Sequence, residues 1–359
     1  MTKVGLFGYP DGGKSTVFQA LTAQSVTPQF LGYDLKPNQA MVKIPDERLD
    51  FLAEHYKTNS KVNATLEMID IPGFDPSSTE KKLKNAILEH YRKMDTLALV
   101  VGLYDPELAT EAAKEVRGMV EELVLLDYVI FERAIQNLEK TTRVKPDKEM
   151  KAKLELCRRI LAQLEEGVSV RSMELSPEEL RTLSDLAPMS IKPVIVVLNI
   201  PDSGIGQAQE NVVGMAAAIK VCEELELPYV AMSAALEAEM ASMTDEEASE
   251  YMAEFGISER ALPRFIRTAF STLGLITFLT ASEKECRSWR VREGSTAQET
   301  AGVIHSDLAR GFIRAETIAF DVFRELGGEK AAKAAGKYRL EGKEYITQDG
   351  DVMNIRFSV

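Results

Sequence analysis

Apolar and polar positions follow one another in three patterns along this chain, and their order sets the architecture. Short apolar runs at Lys3 to Phe7, Thr65 to Ile69, Asp95 to Gly102, Lys192 to Leu198 and Leu227 to Ala234 read as buried strands, the kind covered on both faces of a sheet. Gln39 to Ile44 alternates instead, as a half-exposed strand. Helical spacing governs Thr16 to Leu21, Arg48 to His55 behind the N-cap Asp46, Lys82 to Arg92, Glu237 to Met252 and Glu259 to Leu273. Buried strands alternating with helices predict an α/β fold on a mostly parallel sheet.

The third pattern interrupts this alternation. From Pro106 to about Lys140 apolar residues recur at helical spacing (Val116, Met119, Val120, Leu123, Leu126, Val129) with Glu and Lys on the opposite face. Lys145-Pro146-Asp147 breaks the run, and a second helix follows from Met150 to Glu166. Two long helices joined by a short polar break predict an antiparallel hairpin inserted into the α/β body and projecting from it. Past Leu275 the chain reads as strand-rich, with a helix near Thr317 to Leu326.

With 359 residues and 45% apolar content the chain can bury a large core in two or three domains. No apolar run approaches the ~20 residues that span a bilayer, so a cytoplasmic protein without a membrane partner is expected, an acidic monomer by default. Cys157, Cys222 and Cys286 are too scattered for a disulfide framework, and His55, His90 and His305 for a zinc site. The net charge of −13 argues against coating DNA or other nucleic acid non-specifically. That charge is uneven: residues 283–359 hold 13 Lys/Arg and 13 Asp/Glu, so a neutral tail with local basic clusters could meet RNA while the body stays acidic.

Chemistry enters at Gly8-Tyr9-Pro10-Asp11-Gly12-Gly13-Lys14-Ser15-Thr16, which fits G-x-x-x-x-G-K-S/T between a strand and a helix. Glycine-rich backbone there can wrap a polyphosphate with N–H groups at the positive end of a helix, with Lys14 on the outer phosphates and the Ser15 hydroxyl on Mg²⁺. Asp70-Ile71-Pro72-Gly73 supplies the second requirement. The Asp70 carboxylate at a strand end serves the Mg²⁺, and the Gly73 N–H faces the terminal phosphate. Phe74 follows, and its ring cannot orient an attacking water. Asn199-Ile200-Pro201-Asp202, after the fourth buried strand, has the Asn and the acid of a base-binding loop; Asp202 could accept from guanine N1–H and its amine. Ile200 stands where such loops carry lysine, and Ser233-Ala234 would close over the base.

In this order the phosphate loop, D-x-x-G, helical insert and N-x-x-acid resemble the YchF or Obg-like ATPase family. The resemblance is most specific in Leu275 to Ala281, Arg287-Ser288-Trp289, Gly302 to Asp307, Gly311 to Glu316 and Gln348 to Met353. It implies a P-loop domain in two parts (1–115 and 188–274), a coiled-coil arm (116–187), a β-grasp TGS domain (275–359), and association with the ribosome (50S or 70S, through rRNA). It places Asp11, Gly12, Gly13, Lys14, Ser15 and Thr16 on the phosphates, and Asn199 and Ile200 on the base of ATP or GTP. Four departures accompany it. Asp11 replaces an Asn, Asp34 stands where a Mg²⁺-binding Thr is usual, the segment after Gly73 is short, and Asp202 replaces a Glu linked to ATP use. Three readings therefore stay open: a slow ATPase acting as a ribosome-associated switch, a GTP-specific GTPase, and a nucleotide-binding scaffold with little or no turnover.

Overall fold

The computed structural model describes residues 2–24, 36–76, 79–144 and 147–358. In chain order the elements begin with β1 (Lys3–Phe7), α1 (Lys14–Thr22), β2 (Asn38–Lys43), α2 (Glu47–Tyr56), β3 (Lys61–Val62), β4 (Thr65–Asp70), α3 (Lys81–Arg92) and β5 (Thr96–Gly102). The middle of the chain forms α4 (Pro106–Val144), α5 (Lys148–Glu165), α6 (Pro177–Thr182), β6 (Val194–Asn199), α7 (Met215–Glu224), β7 (Tyr229–Met232), α8 (Ala234–Met240), α9 (Asp245–Glu254) and α10 (Ala261–Leu273). The tail holds β8 (Leu275–Ala281), β9 (Cys286–Arg292), α11 (Ala297–Ile304), α12 (Ser306–Arg310), β10 (Phe312–Ala319), α13 (Phe320–Leu326), α14 (Glu329–Ala334), β11 (Arg339–Glu341) and β12 (Asp351–Phe357). Two compact units result: Met1–Met41 with Glu67–Thr268, and Val42–Leu66 with Ala269–Val359.

The first unit is built on a sheet of order β2-β4-β1-β5-β6-β7, in which β1 pairs β4 and β5, β5 pairs β6 and β6 pairs β7, all parallel. Every residue of β5 and β6 is buried, as their unbroken apolar runs require. Register puts Leu6 opposite Asp70 and Gly102 opposite Asn199. The carboxyl ends of β1, β4, β5 and β6 therefore share one edge, where ligands bind in open α/β sheets.

Helix α4 serves two cores. Val116, Met119, Val120 and Leu123 pack with the sheet, whereas Val124 and Phe131 pack with Leu156, Cys157, Ile160 and Leu164 of α5. The pair is antiparallel: Tyr128 reaches Glu165, and Glu139 accepts from Arg158 at 2.7 Å. Between the two cores lies Asp127, fully buried, accepting from the Met189 N–H (2.6 Å), the Ser190 N–H (2.7 Å) and the Ser190 hydroxyl (2.6 Å). Burial raises its pKa and these three bonds oppose the rise. It fixes the long helix to the segment entering β6.

The second unit has strand order β11-β10-β12-β8-β9-β3. An antiparallel β8–β9 hairpin, a parallel β12–β8 pair and an antiparallel β10–β12 pair make the expected β-grasp. Residues 42–66 contribute to it from far up the chain. Leu49 and Leu52 of α2 are wholly buried against Ile318, Phe320, Phe323 and Val352, β3 extends the sheet beside β9, and the Ala64 N–H donates to the Ser288 hydroxyl at 2.8 Å.

Two expectations are corrected. The single helix expected over 237–252 is two, α8 and α9, because Thr244 and Glu247 form a capping box that starts a new helix. The helix expected from Thr317 starts at Phe320, since Thr317 to Ala319 pair with β12. Cys157, Cys222 and Cys286 are buried and unpaired, and Cys286 lies in a strand. Among the described residues no helix is long and apolar enough to cross a membrane.

Asp127→Ala strands two buried N–H groups, so the unfolding free energy of the first unit should fall by about 2–4 kcal/mol. Urea denaturation followed by helical circular dichroism measures it; a loss under about 0.5 kcal/mol would mean that the helix is anchored by packing alone.

Candidate functional site: a phosphate-binding cleft at the sheet edge

Between β1 and α1 the chain turns so tightly that only glycine fits at Gly13, the N-cap of α1. Its φ is +86°, and an added Cβ would lie 2.4 Å from Asn199 Nδ2. Asp11 also takes a left-handed conformation, φ +61°, which short polar side chains tolerate. From the other flank Gly73 presses on the loop, where a Cβ would lie 2.7 Å from Pro10 N, and the Phe74 N–H donates to the Gly8 carbonyl at 3.0 Å. The D-x-x-G segment and Asn199 thus both touch the glycine-rich loop.

A cavity of about 540 Å³ opens over this edge. Asp11, Gly13, Lys14, Ser15 and Thr16 line it from the loop, Asp70 and Gly73 from the end of β4, and Lys36 and Asn38 from the start of β2. Lys14 is only 7% exposed, with Nζ 2.5 Å from the Tyr9 carbonyl. Burial lowers its pKa, and the carboxylates of Asp70, Glu115 and Asp11 oppose the shift. The Ser15 hydroxyl donates to Asp70 Oδ2 at 3.0 Å, and Asn38 Nδ2 donates to the same oxygen at 3.1 Å. Burial pushes the Asp70 carboxyl up, against those two bonds and the Lys14 charge.

Ser15 and Asp70 are hard oxygen donors with a single carboxylate between them. That set fits a Mg²⁺ ion that keeps several waters and takes phosphate oxygens, not an all-protein cage. Among the described residues no three His, Cys, Asp or Glu side chains gather to hold a metal. Asp34 lies outside the described residues. Phe74 is 2% exposed, edge-on to Tyr91 and under the Lys84 ammonium, so no polar side chain occupies the position after Gly73.

On the base side, Asn199 is 4% exposed and its Oδ1 accepts from the Ala234 N–H at 3.0 Å. Ser233 caps α8 and donates its hydroxyl to Asp202 Oδ1 at 2.5 Å. Ile200 is 5% exposed within the sheet core. Asn199, Asp202, Ser233 and Ala234 therefore form one cluster against Gly13.

Three residues at this edge escaped the sequence reading. Asn38 orients Asp70; its place immediately before an alternating strand is the signal the sequence offers. Tyr104 lines the cavity, packs on Gly13 and donates its hydroxyl to the Asp11 carbonyl. Glu115, on α4, faces the rear of the loop, and nothing in the helix pattern marks it.

A buried lysine at a helix N-terminus, beside the Asp70 carboxylate and the Ser15 hydroxyl at the carboxyl edge of a parallel sheet, is suited to phosphates; the class of protein is a P-loop nucleoside triphosphatase. Known proteins narrow this. Residues 3–133 match a family model described as "50S ribosome-binding GTPase", and residues 275–358 match YchF-GTPase_C, described as "Protein of unknown function (DUF933)". The "Ribosome-binding ATPase YchF" of Haemophilus influenzae is 37% identical over 99% of both chains. The "Obg-like ATPase 1" of Oryza sativa subsp. japonica is 35% identical over 99% of this chain and 92% of its own. The solved structure of the Schizosaccharomyces pombe YchF GTPase superposes with TM-score 0.84 at 30% identity, covering 99% of this chain and 97% of that one. The chain belongs to the YchF or Obg-like ATPase family.

Proposed function

We propose that this protein binds ATP with Mg²⁺ in the 540 Å³ cavity, hydrolyses it slowly, and alternates between nucleotide states as a ribosome-associated switch. The observation that carries the reading is the cluster of Lys14, Ser15, Asp70 and Asn38 at the mouth of α1. Lys14 holds the outer phosphates, the backbone N–H groups of Gly12 to Thr16 wrap them, and the Gly73 N–H faces the terminal phosphoryl group. Ser15 and Asp70 hold the Mg²⁺, which supplies charge neutralisation of the phosphate oxygens. What remains for the protein is electrostatic stabilisation of transfer to water. Turnover is slow because the buried Phe74 ring offers no group to orient that water. The same residue supports the rival reading of binding without turnover.

ATP is preferred over GTP here because Asp202 already accepts from Ser233, which occupies one of the two carboxylate oxygens that a guanine edge would use. Relatives named as ATPases, from Haemophilus influenzae and rice, support the choice. Ribosome association is proposed from the printed names of those relatives and from the exposed lysines of the second unit, Lys330, Lys337 and Lys343.

Calorimetric titration of nucleotide-free protein with ATP and GTP in Mg²⁺, followed by phosphate release on the same samples, tests the core of the reading. Tight binding with no phosphate released would establish the scaffold instead. Lys14→Ala should weaken ATP and GTP alike by about 10- to 100-fold; unchanged binding removes the phosphate-loop assignment. Asp202→Ala should spare ATP, and whatever GTP binding exists should weaken by about tenfold or more. An equal loss for both nucleotides would make Asp202 only the partner of Ser233. Reversing Lys330 and Lys337 to Glu should lower co-sedimentation with ribosomes and flatten its salt dependence. This is preferable to truncation past Leu275, which would strip the core from α2. Sedimentation unchanged by the reversal would move the contact to the α4–α5 hairpin.

A further inference from the structure

A second cavity, of about 290 Å³, reaches the phosphate loop at Tyr9, Pro10 and Gly12, and its other wall is the first part of α4: Leu108, Glu111, Lys114 and Glu115. Glu115 Oε1 is buried there without a hydrogen-bond partner. The Tyr9 N–H supports the carboxylate, and the Lys14 ammonium attracts it. Tyr9 is held on both sides, because its carbonyl is where Lys14 Nζ rests at 2.5 Å. Its ring packs toward the same helix, with the hydroxyl 3.6 Å from where a Cβ on Gly118 would lie.

The remaining charges around Glu115 are accounted for. Lys114 pairs with Glu111 at 2.7 Å, and Arg117 pairs with Glu224 of α7 at 2.5 Å. Beyond Tyr9, Glu122 is 3.8 Å from Lys84. Asp70 and Asp11 act on Lys14 from the cavity side, and the Tyr9 and Tyr104 phenols both feel Glu115. Among the described residues the cation whose charge acts on Glu115 is therefore Lys14, the residue that a nucleotide would take.

We propose that Glu115 is a positioning residue for Lys14: it competes with the nucleotide phosphates for the lysine's charge, and accepts a proton from solvent when the nucleotide takes that charge away. The proposal rests on the reading that Lys14 holds phosphates. Its consequence is that the first turns of the long helix register, as a change of charge, whether the phosphate loop is filled.

The sign of the linkage is fixed by the surroundings. Burial raises the Glu115 pKa from its ordinary 4.5 to about 7, with Lys14 and the Tyr9 N–H opposing a larger rise. Phosphates beside Lys14 add negative charge and draw off that opposition, so the pKa rises further in the complex. The complex then holds more protons than the free protein, and affinity falls as pH rises from about 7 through the pKa of the complex.

The test is calorimetric titration of the full chain with Mg·ADP, which cannot turn over, at pH 7 in two buffers of different ionisation enthalpy, repeated from pH 5.5 to pH 8.5. Wild type should take up about half a proton per nucleotide near pH 7 and almost none at pH 5.5, where Glu115 is protonated in both states. In Glu115→Gln this uptake should vanish, and binding at pH 8 should be several-fold tighter than wild type. Binding with no proton uptake in wild type, or uptake that survives Glu115→Gln, overturns the proposal. Absence of any nucleotide binding by wild type instead removes the phosphate-site reading beneath it. The wild-type pH series alone decides the matter if the variant fails to fold.

Discussion

A single buried ammonium governs this site. Lys14 is withdrawn from water at the positive end of α1, where the helix dipole makes a cation least welcome. One carbonyl, that of Tyr9, receives it directly, and three carboxylates act on it from farther off. Burial costs the charged ammonium more than these partners return, and a polyanion at the loop would restore the balance. The carboxylates are spread among different elements: Asp70 ends β4, Asp11 belongs to the loop and Glu115 to α4. Any change in what Lys14 touches must therefore be felt in each of them.

The sheet supplies the rigidity that this electrostatic arrangement needs. Register between β1, β4, β5 and β6 levels their carboxyl ends, and the connecting loops meet at distances that leave no space for a side chain at Gly13 or Gly73. Asn199 illustrates the economy of the result. One amide oxygen takes the Ala234 N–H while its Nδ2 lies against Gly13, so the base side and the phosphate side are set by the same residue. Loss of the Ala234 contact would leave a buried amide oxygen unsatisfied, at a cost of about 1–3 kcal/mol.

What could be read from the sequence was whatever the backbone itself demands. Gly13, Gly73 and Lys14 have no chemical alternative in a phosphate loop and a D-x-x-G turn, so spacing alone located them; unbroken apolar runs found β5 and β6 for the same reason. Residues that act through tertiary packing were invisible. Asn38 matters because β2 lies beside β4, and Glu115 because α4 leaves the sheet at the angle that brings it behind Tyr9; neither fact is written in local pattern. Residues 42–66 show the same limit: Asp46-Glu47-Arg48-Leu49 announces a helix, but only the match of Leu49 and Leu52 to Phe320 and Phe323 says which core it joins. The split of α8 from α9 is different, since Thr244-x-x-Glu247 is a capping box, a local signal hidden within a longer helical periodicity.

The two halves of the site differ in how tightly chemistry constrains them. On the loop side, charge, donor type and backbone approach all favour a polyanion, with Lys14, Ser15 and Asp70 lining one cavity. On the base side the recognition groups are few: a carboxylate already shared with Ser233, and a buried Ile200 in place of the usual lysine. On the proposed reading, discrimination between purines rests on whether Asp202 exchanges the Ser233 hydroxyl for a guanine edge, a swap of one hydrogen bond for two. Such a swap is worth about 1–3 kcal/mol. That is the scale on which one substitution in the base loop could reverse nucleotide preference while the phosphate machinery stayed unchanged, and it suits a family whose relatives carry both ATPase and GTPase in their names.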